Sequence, residues 1–270
     1  MIKLVAIDLD GTLLTDDKTI SKRNKDVLQV AKQQGTKVVI CTGRPLKAIL
    51  HYLERLELMA PGDYSITFNG GLIQKNDNGE QLSAISLGLP AVHEVAEVMQ
   101  ELVLPLDVIR DDTVYHIETT QGMYRSIYQE LNSLLRFETR RLTDFPPETE
   151  FNKMVVAIEA AYLDTKIPLI PASMQTSYAI MKSRDCLLEI MPKNVTKANG
   201  IARLAEHLGI HQSEVMAIGD EENDLSMIEY AGFGVAMANG TQIVKEAAKF
   251  VTDTNERDGV AKAIERFVLN

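Results

Sequence analysis

The chain reads as an α/β protein in which a parallel sheet and its helices are interrupted by an inserted α+β domain. Three observations predict this. The runs Leu4-Val5-Ala6-Ile7, Val38-Val39-Ile40 and Val215-Met216-Ala217-Ile218 are short, apolar and rich in β-branched residues, as strands buried on both faces of a parallel sheet are. A helical pattern follows each run, which gives the rhythm of βαβ units. From about residue 87 this texture changes to short strands joined by tight turns, and the βα rhythm returns only after Pro192. A chain of 270 residues also exceeds one ordinary sheet with its helices, so one larger and one smaller domain are expected. The expected division is 1–86 with 192–270 for the sheet domain and 87–191 for the insert.

In chain order, the first strand runs into Asp8-Leu9-Asp10-Gly11. Ligands of open α/β sheets bind at the carboxyl ends of the strands, so Asp8 and Asp10 stand where chemistry is usually done. Two carboxylates about 4 Å apart repel by roughly 4 kcal/mol at an effective dielectric near ~20, so a divalent cation or a shared proton must compensate them. An EF-hand loop is excluded, because Thr12, Leu13 and Thr19 occupy positions it reserves for other residues. Ser21 caps a helix running to about residue 34, which Gly35 ends. The second strand ends in Thr42-Gly43-Arg44-Pro45. Pro45 suits the first turn of a helix, so Thr42 and the Gly43 amide lie at a strand-to-helix junction able to seat a phosphate. Pro61-Gly62-Asp63 makes a turn, 64–68 a third strand, and Asn69-Gly70-Gly71 a flexible end. Residues 72–74 and 82–86, joined across Asn76-Asp77-Asn78-Gly79, form a hairpin.

The insert is expected to hold a helix over 91–104, strands over 107–110 and 113–118, and a helix over 123–135. A polar link with Pro146-Pro147 leads to a strand over 153–158 and a segment broken by Pro168 and Pro171. Strands over 176–182 and 186–191 follow, with Ser183-Arg184-Asp185 at the hairpin tip. Such strands indicate an antiparallel sheet with helices on one face. Beyond Pro192, a helix over 197–208 stops at Gly209, and the strand over 215–218 ends in Gly219-Asp220-Glu221-Glu222-Asn223-Asp224. That cluster repeats the logic of the opening stretch. A helix over 224–230, a strand over 233–237, a helix over 242–248, Phe250-Val251 and a helix over 259–269 complete the sheet.

Charge narrows the partners. A net charge of −10 argues against nucleic acid and anionic membrane, both of which are held by basic patches. No stretch reaches the length of a membrane span, and Asp8 and Asp10 interrupt the first apolar run before it could serve as a signal segment. Cys41 and Cys186 form no Cys-x-x-Cys and need not pair, which suits a reducing compartment; a cytoplasmic protein is expected. A small anionic substrate requires locally gathered positive groups. Asp8 and Asp10, Thr42 with Gly43, Lys197, and Asp220 with Asn223 and Asp224 supply complementary charges at element edges of one domain. A magnesium ion, which prefers carboxylate oxygens, waters and substrate phosphate, would accept Asp8 and Asp220, while Lys197, Thr42 and backbone amides would hold the remaining phosphate oxygens.

These segments carry a resemblance. Asp8-Leu9-Asp10-Gly11-Thr12-Leu13 resembles motif one of the haloacid dehalogenase superfamily, Thr42-Gly43-Arg44 motif two, Lys197 motif three and Gly219-Asp220-Glu221-Glu222-Asn223-Asp224 motif four, in that order and spacing. The insert is similar to the large α/β cap, of C2B type, of the Cof-type sugar phosphatases, and Asn69-Gly70 and Leu188-Glu189-Ile190 resemble further segments of that branch. Gly71 stands where many relatives have alanine, and Asn194 and Ala198 where glycines are frequent; Asn194 can take a positive φ, so that turn is expected to survive.

The resemblance implies a Rossmann-like parallel-sheet core carrying catalysis and a cap carrying substrate selection. It implies a magnesium-dependent phosphatase of small phosphate monoesters, sugar phosphates foremost, working through an aspartyl-phosphate. Asp8 would attack phosphorus; Asp10, starting protonated, would protonate the leaving alkoxide and then deprotonate the attacking water. Asp8, the Asp10 carbonyl and Asp220 would bind the metal, with Asp224 supporting it directly or through water. Lys197, Thr42, Asn223 and the amides of Leu9 and Gly43 would hold the phosphate, and Arg44 would reach toward the substrate. A phosphomutase of the same superfamily and a non-catalytic sugar-phosphate-binding regulator are the alternatives. Hexose phosphates, erythrose 4-phosphate, and flavin or pyridoxal phosphates all fit the class. Hinged closure of the insert is expected to favour small esters over phosphoproteins and nucleic acids. The sequence carries no signal for an oligomeric state.

Overall fold

The structure, a computed structural model, describes residues 1–118 and 124–269. The chain divides into two compact units, Met1–Ser83 with Thr196–Asn270, and Ala84–Val195.

The first unit is built on an eight-stranded sheet. In spatial order its strands are Phe250–Val251, Phe233–Ala236, Val215–Gly219, Leu4–Ile7, Lys37–Cys41, Tyr64–Thr67, Leu72–Lys75 and Gln81–Ala84. The first six run parallel, and Leu72–Lys75 turns back antiparallel against Tyr64–Thr67. The apolar runs have the cause the sequence suggested. Val5 and Ile7 pack into one hydrophobic cluster with Leu28, Ile40 and Ile264, whereas Leu4 and Ala6 pack into another with Val39, Leu204 and Ala217. Alternate side chains of one strand thus enter cores on opposite faces, so no position in it can be polar. Leu4–Ile7 lies between Lys37–Cys41 on one side and Val215–Gly219 on the other. It is the point where the strand order reverses, and a crevice at the carboxyl ends of the strands opens there in such sheets.

Two local expectations for this unit are corrected. Asn69-Gly70-Gly71 is not a loose end: Phe68–Gly70 is a buried 3-10 turn that Gly71 closes, with φ of 52° at Phe68, 55° at Asn69 and 97° at Gly70. Gly70 is required there, since a Cβ would lie 2.0 Å from the Thr196 carbonyl oxygen. The helix ahead of Tyr230 begins at Leu225, preceded by the 3-10 turn Glu222–Asp224.

The second unit holds a six-stranded sheet in the order Tyr178–Arg184, Leu187–Pro192, Lys153–Ala157, Asp107–Arg110, Thr113–Ile117, Arg136–Arg140, with a two-stranded ribbon of Leu87–Gly88 and Glu150–Phe151. Val92, Val95 and Met99 of the helix Leu89–Glu101 pack with Val108, Met154 and Ile190 of the sheet in one cluster. The sheet is mixed, not antiparallel throughout, because Arg136–Arg140 pairs parallel to Thr113–Ile117. The helix expected over 123–135 is a single turn, Tyr128–Leu131; its expected start, residue 123, lies outside the described residues. Residues 132–135 turn the chain, and Arg136–Arg140, for which no element was expected, forms a strand by pairing with Thr113–Ile117. Its charges suit an edge strand. Asn194 is not among the positive-φ residues; a hydrogen bond from the Val195 amide to the Pro192 carbonyl, 3.0 Å, closes that turn instead. Among the described residues no helix is long and apolar enough to cross a membrane.

Candidate active site

Four loops of the first unit bring the charged residues together. Asp8 leaves the central strand with its amide donating to the Ile218 carbonyl of the neighbouring strand, 3.0 Å. Gly11 then turns the chain at φ 78°, and Thr12 donates its hydroxyl to Asp220 Oδ1 at 2.6 Å. These residues stand 208 positions apart in the chain and meet because their strands are neighbours. A side chain at Gly11 would put its Cβ 2.2 Å from Asp220 Oδ2. Gly11→Ala is therefore expected to displace Asp220 and strain the turn, with a stability loss of about 1–3 kcal/mol. An unchanged denaturant midpoint would contradict the close approach.

Lys197 opens the helix Lys197–His207, which Thr196 caps by accepting from the Asn199 amide. Its side chain is fully buried, and Nζ donates to Asp8 Oδ1 and to Asp224 Oδ1, each at 2.5 Å. The other Asp224 oxygen accepts from the amides of Asp220, 2.9 Å, and Glu221, 3.1 Å. Asp224 thus fixes both the acidic loop and the lysine. Carboxylate oxygens of Asp8, Asp220 and Asp224 lie within 4.8 Å of one another.

The electrostatics follow from this crowding. Burial is the largest influence on Asp8; with Asp224 and Asp220 beside it, and against the pull of Lys197, it holds the carboxyl well above the usual carboxylate range. Burial also pushes Asp220 up to about 7, with help from Asp224 and Glu221 and against the Thr12 hydrogen bond. For Lys197 burial opposes the charge, but Asp224 and Asp8 outweigh it and hold the proton more tightly than in an ordinary lysine. Three carboxylates face one ammonium, so the cluster has excess negative charge when all three are ionised. An oxygen-ligated divalent cation suits such a donor set.

Around this cluster, Thr42 is buried and its hydroxyl accepts from the Arg44 amide at 3.2 Å. The bare Cα of Gly43 faces Asn69, where a Cβ would lie 3.0 Å from Oδ1, and Asn223 Nδ2 donates to that same oxygen at 3.3 Å. Leu9 is wholly buried, so only its backbone is available for polar chemistry. Arg44 grips Asp10, donating from Nε to Oδ2 at 2.8 Å and from Nη2 to Oδ1 at 2.6 Å. Lys18 adds a third bond to Oδ1 at 2.9 Å. Burial favours the neutral acid, but the bonds and charge of Arg44, then of Lys18, outweigh it and hold Asp10 below the usual range. With Arg44 and Lys18 in place the charged form of Asp10 is favoured. Thr12, Lys18 and Asn69 were outside the set of expected site residues. Thr12 had a signal in its place beside Asp10-Gly11, and Asn69 in the resemblance of Asn69-Gly70; Lys18 is brought in by its contact with Asp10 alone.

The haloacid dehalogenase-like hydrolase family model matches residues 5–264. YxeH of Bacillus subtilis is 37% identical over 269 residues, which is 100% of this chain and 99% of that one. YcsE of the same organism, named a 5-amino-6-(5-phospho-D-ribitylamino)uracil phosphatase, is 33% identical over 268 residues, covering 99% of this chain and 96% of its own. Among solved structures, the HAD subclass IIB sugar phosphatase BT4131 superposes with a TM-score of 0.80 at 27% identity, covering 98% of both chains.

Proposed function

The chain belongs to the haloacid dehalogenase-like hydrolase family and is a phosphoric monoester hydrolase, and from that premise we propose that it hydrolyses small phosphorylated sugars or sugar alcohols with magnesium, through a phosphoryl group carried on Asp8. The observation that supports this most is the buried arrangement of Lys197 between Asp8 and Asp224, with Asp220 alongside. Asp8, Asp220 and the Asp10 carbonyl would hold the ion, with Asp224 behind them. Bound there, magnesium neutralises charge on the phosphoryl oxygens.

In this reading, Asp8 attacks phosphorus, the bond from phosphorus to the ester oxygen breaks, and Asp10 gives that oxygen a proton. Asp10 then takes a proton from water as the water attacks the same phosphorus and the bond to Asp8 breaks, which releases phosphate. Lys197 orients Asp8 and neutralises oxygens that gain charge. Thr42, Asn223 and the amides of Leu9 and Gly43 hold the phosphoryl group. Arg44 turns from Asp10 to the incoming dianion; the loss of that cation raises the proton affinity of Asp10 and lets it act as an acid. Substrate selection falls to the second unit. BT4131 is a sugar phosphatase and YcsE acts on a phosphorylated ribityl group; a phosphate on a polyol chain is common to both. Phosphate release from a panel of phosphorylated metabolites, phosphopeptides and 5′-phosphorylated oligonucleotides tests the assignment. Small polyol esters are expected to give the highest kcat/KM; equal values for the macromolecules would refute it.

The raised Asp220 carboxyl gives a pH signature. Between its ordinary value near 3.8 and about 7, the folded chain keeps a proton that the unfolded chain has lost. Stability from this group therefore falls as pH rises through that window, and the full cost is present above it. A cation offsets that cost only where it need not displace the proton. Magnesium is expected to raise Tm more at about pH 8 than at about pH 5.5. An equal or larger rise at the acid pH would contradict this placement of the ion.

A further inference from the structure

We propose that Lys18 is a positioning residue for the acid–base carboxyl of Asp10, seated for that purpose by Tyr52; the inference rests on the phosphatase reading above. Lys18 holds φ at 56°, a left-handed conformation that is unfavourable for a residue with a Cβ and that glycine or asparagine adopts more readily. The chain nevertheless places a long cationic side chain there. Its backbone is fixed from several sides. The Lys18 amide donates to the Thr15 carbonyl at 2.8 Å, the Tyr52 hydroxyl donates to the Lys18 carbonyl at 3.2 Å, and Asn255 ties the preceding loop through the Leu14 carbonyl, 3.0 Å, and Asp16 Oδ1, 3.1 Å. From this fixed turn Nζ reaches Asp10 Oδ1 at 2.9 Å.

Tyr52 serves the other cation as well. The residue is 6% exposed, and its ring centre lies 6.0 Å from the guanidinium carbon of Arg44. One aromatic residue therefore seats both groups that grip Asp10. The two grips differ: Arg44 spans both carboxylate oxygens, whereas Lys18 holds Oδ1 alone. When Arg44 turns to the substrate, Lys18 keeps Oδ1, and Oδ2 is the oxygen left to carry the proton to the leaving group. Without Lys18 the carboxyl would swing, and misplacing a proton donor slows the step that needs it.

The lysine side chain is 53% exposed, and such ion pairs add little stability. A purely structural role and a positioning role therefore separate. Lys18→Asn and Lys18→Met are compared with the unsubstituted enzyme by kcat/KM on the best sugar phosphate of the panel and on p-nitrophenyl phosphate, whose leaving group needs little protonation. The ratio of sugar phosphate to p-nitrophenyl phosphate is expected to fall about ten-fold in both variants and to recover in Lys18→Arg. Tyr52→Phe is expected to shift the ratio in the same direction by less. Lys18→Asn is expected to match or exceed the original Tm, because asparagine relieves the backbone cost. Folded Lys18 variants whose ratio stays within about two-fold of the original would overturn the inference alone. Failure of the unsubstituted protein to hydrolyse either ester would overturn the phosphatase reading and this inference with it.

Discussion

Replacing Asp8 with asparagine is expected to abolish turnover on every ester, a loss on the order of 10⁴-fold or more, the scale on which removing a covalent nucleophile acts. The carboxylate stands at the end of the central strand, at the reversal of strand order, with Lys197 Nζ 2.5 Å from Oδ1. An amide is nearly isosteric, so the variant should fold; it is neither a nucleophile toward phosphorus nor a strong ligand for magnesium. The substitution also removes one of three carboxylates gathered with a single lysine, so Asp8→Asn is expected to be at least as stable as the original chain without metal. An inactive variant with an unchanged or raised Tm is the combined outcome that this site requires. Activity near that of the unsubstituted enzyme would refute the role of Asp8.

The second large effect concerns Lys197. Its ammonium is fully buried and bonds two carboxylates, one of which also holds the amides of Asp220 and Glu221. Lys197→Met keeps the apolar stem and removes the charge. Breaking a buried ion pair from one side leaves its partner uncompensated and costs about 3–5 kcal/mol, which corresponds to a fall in Tm of roughly 10 °C. Activity should be lost as well, since Asp8 and the acidic loop both lose their anchor. Lys197→Arg should not restore it, because the broader guanidinium has no room in a fully enclosed position. Thermal melts and kcat/KM measured on both variants check this; a Lys197→Met protein with unaltered Tm would show that the lysine does not compensate the buried carboxylates.

How much of this was legible in the sequence depended on how local each constraint is. Leu4-Val5-Ala6-Ile7 was readable as a doubly buried strand because each of its residues enters a core. Asp8, Thr42 and Asp220 were readable as site candidates because polar residues directly after such strands have few other reasons to be there, and Asp224 because it closes the acidic cluster that Asp220 opens. Lys197 became meaningful only with the set, since a lysine at a helix start normally faces water. The grip on Asp10 was not readable. It depends on Lys18 leaving a left-handed turn and on Tyr52 lying under Arg44, and neither has a sequence period. The strand Arg136–Arg140 was missed for a related reason: pairing with Thr113–Ile117 decides the outcome. Asn69 shows the same limit, because its φ of 55° and its bond from Asn223 arise from packing between distant segments.

The central claim is that Asp8 carries the phosphoryl group and Asp10 is needed to remove it. Asp10→Asn keeps the nucleophile and loses the base, and acetyl phosphate supplies a leaving group that needs no acid. The variant should therefore be phosphorylated and then stall. The direct test is acid-quenched peptide mapping by mass spectrometry after Asp10→Asn protein has been incubated with acetyl phosphate and magnesium. A single phosphoryl group on Asp8, absent when Asp8 is also replaced, is the expected result; no phosphorylated peptide, or a phosphoryl group on another residue, would contradict it.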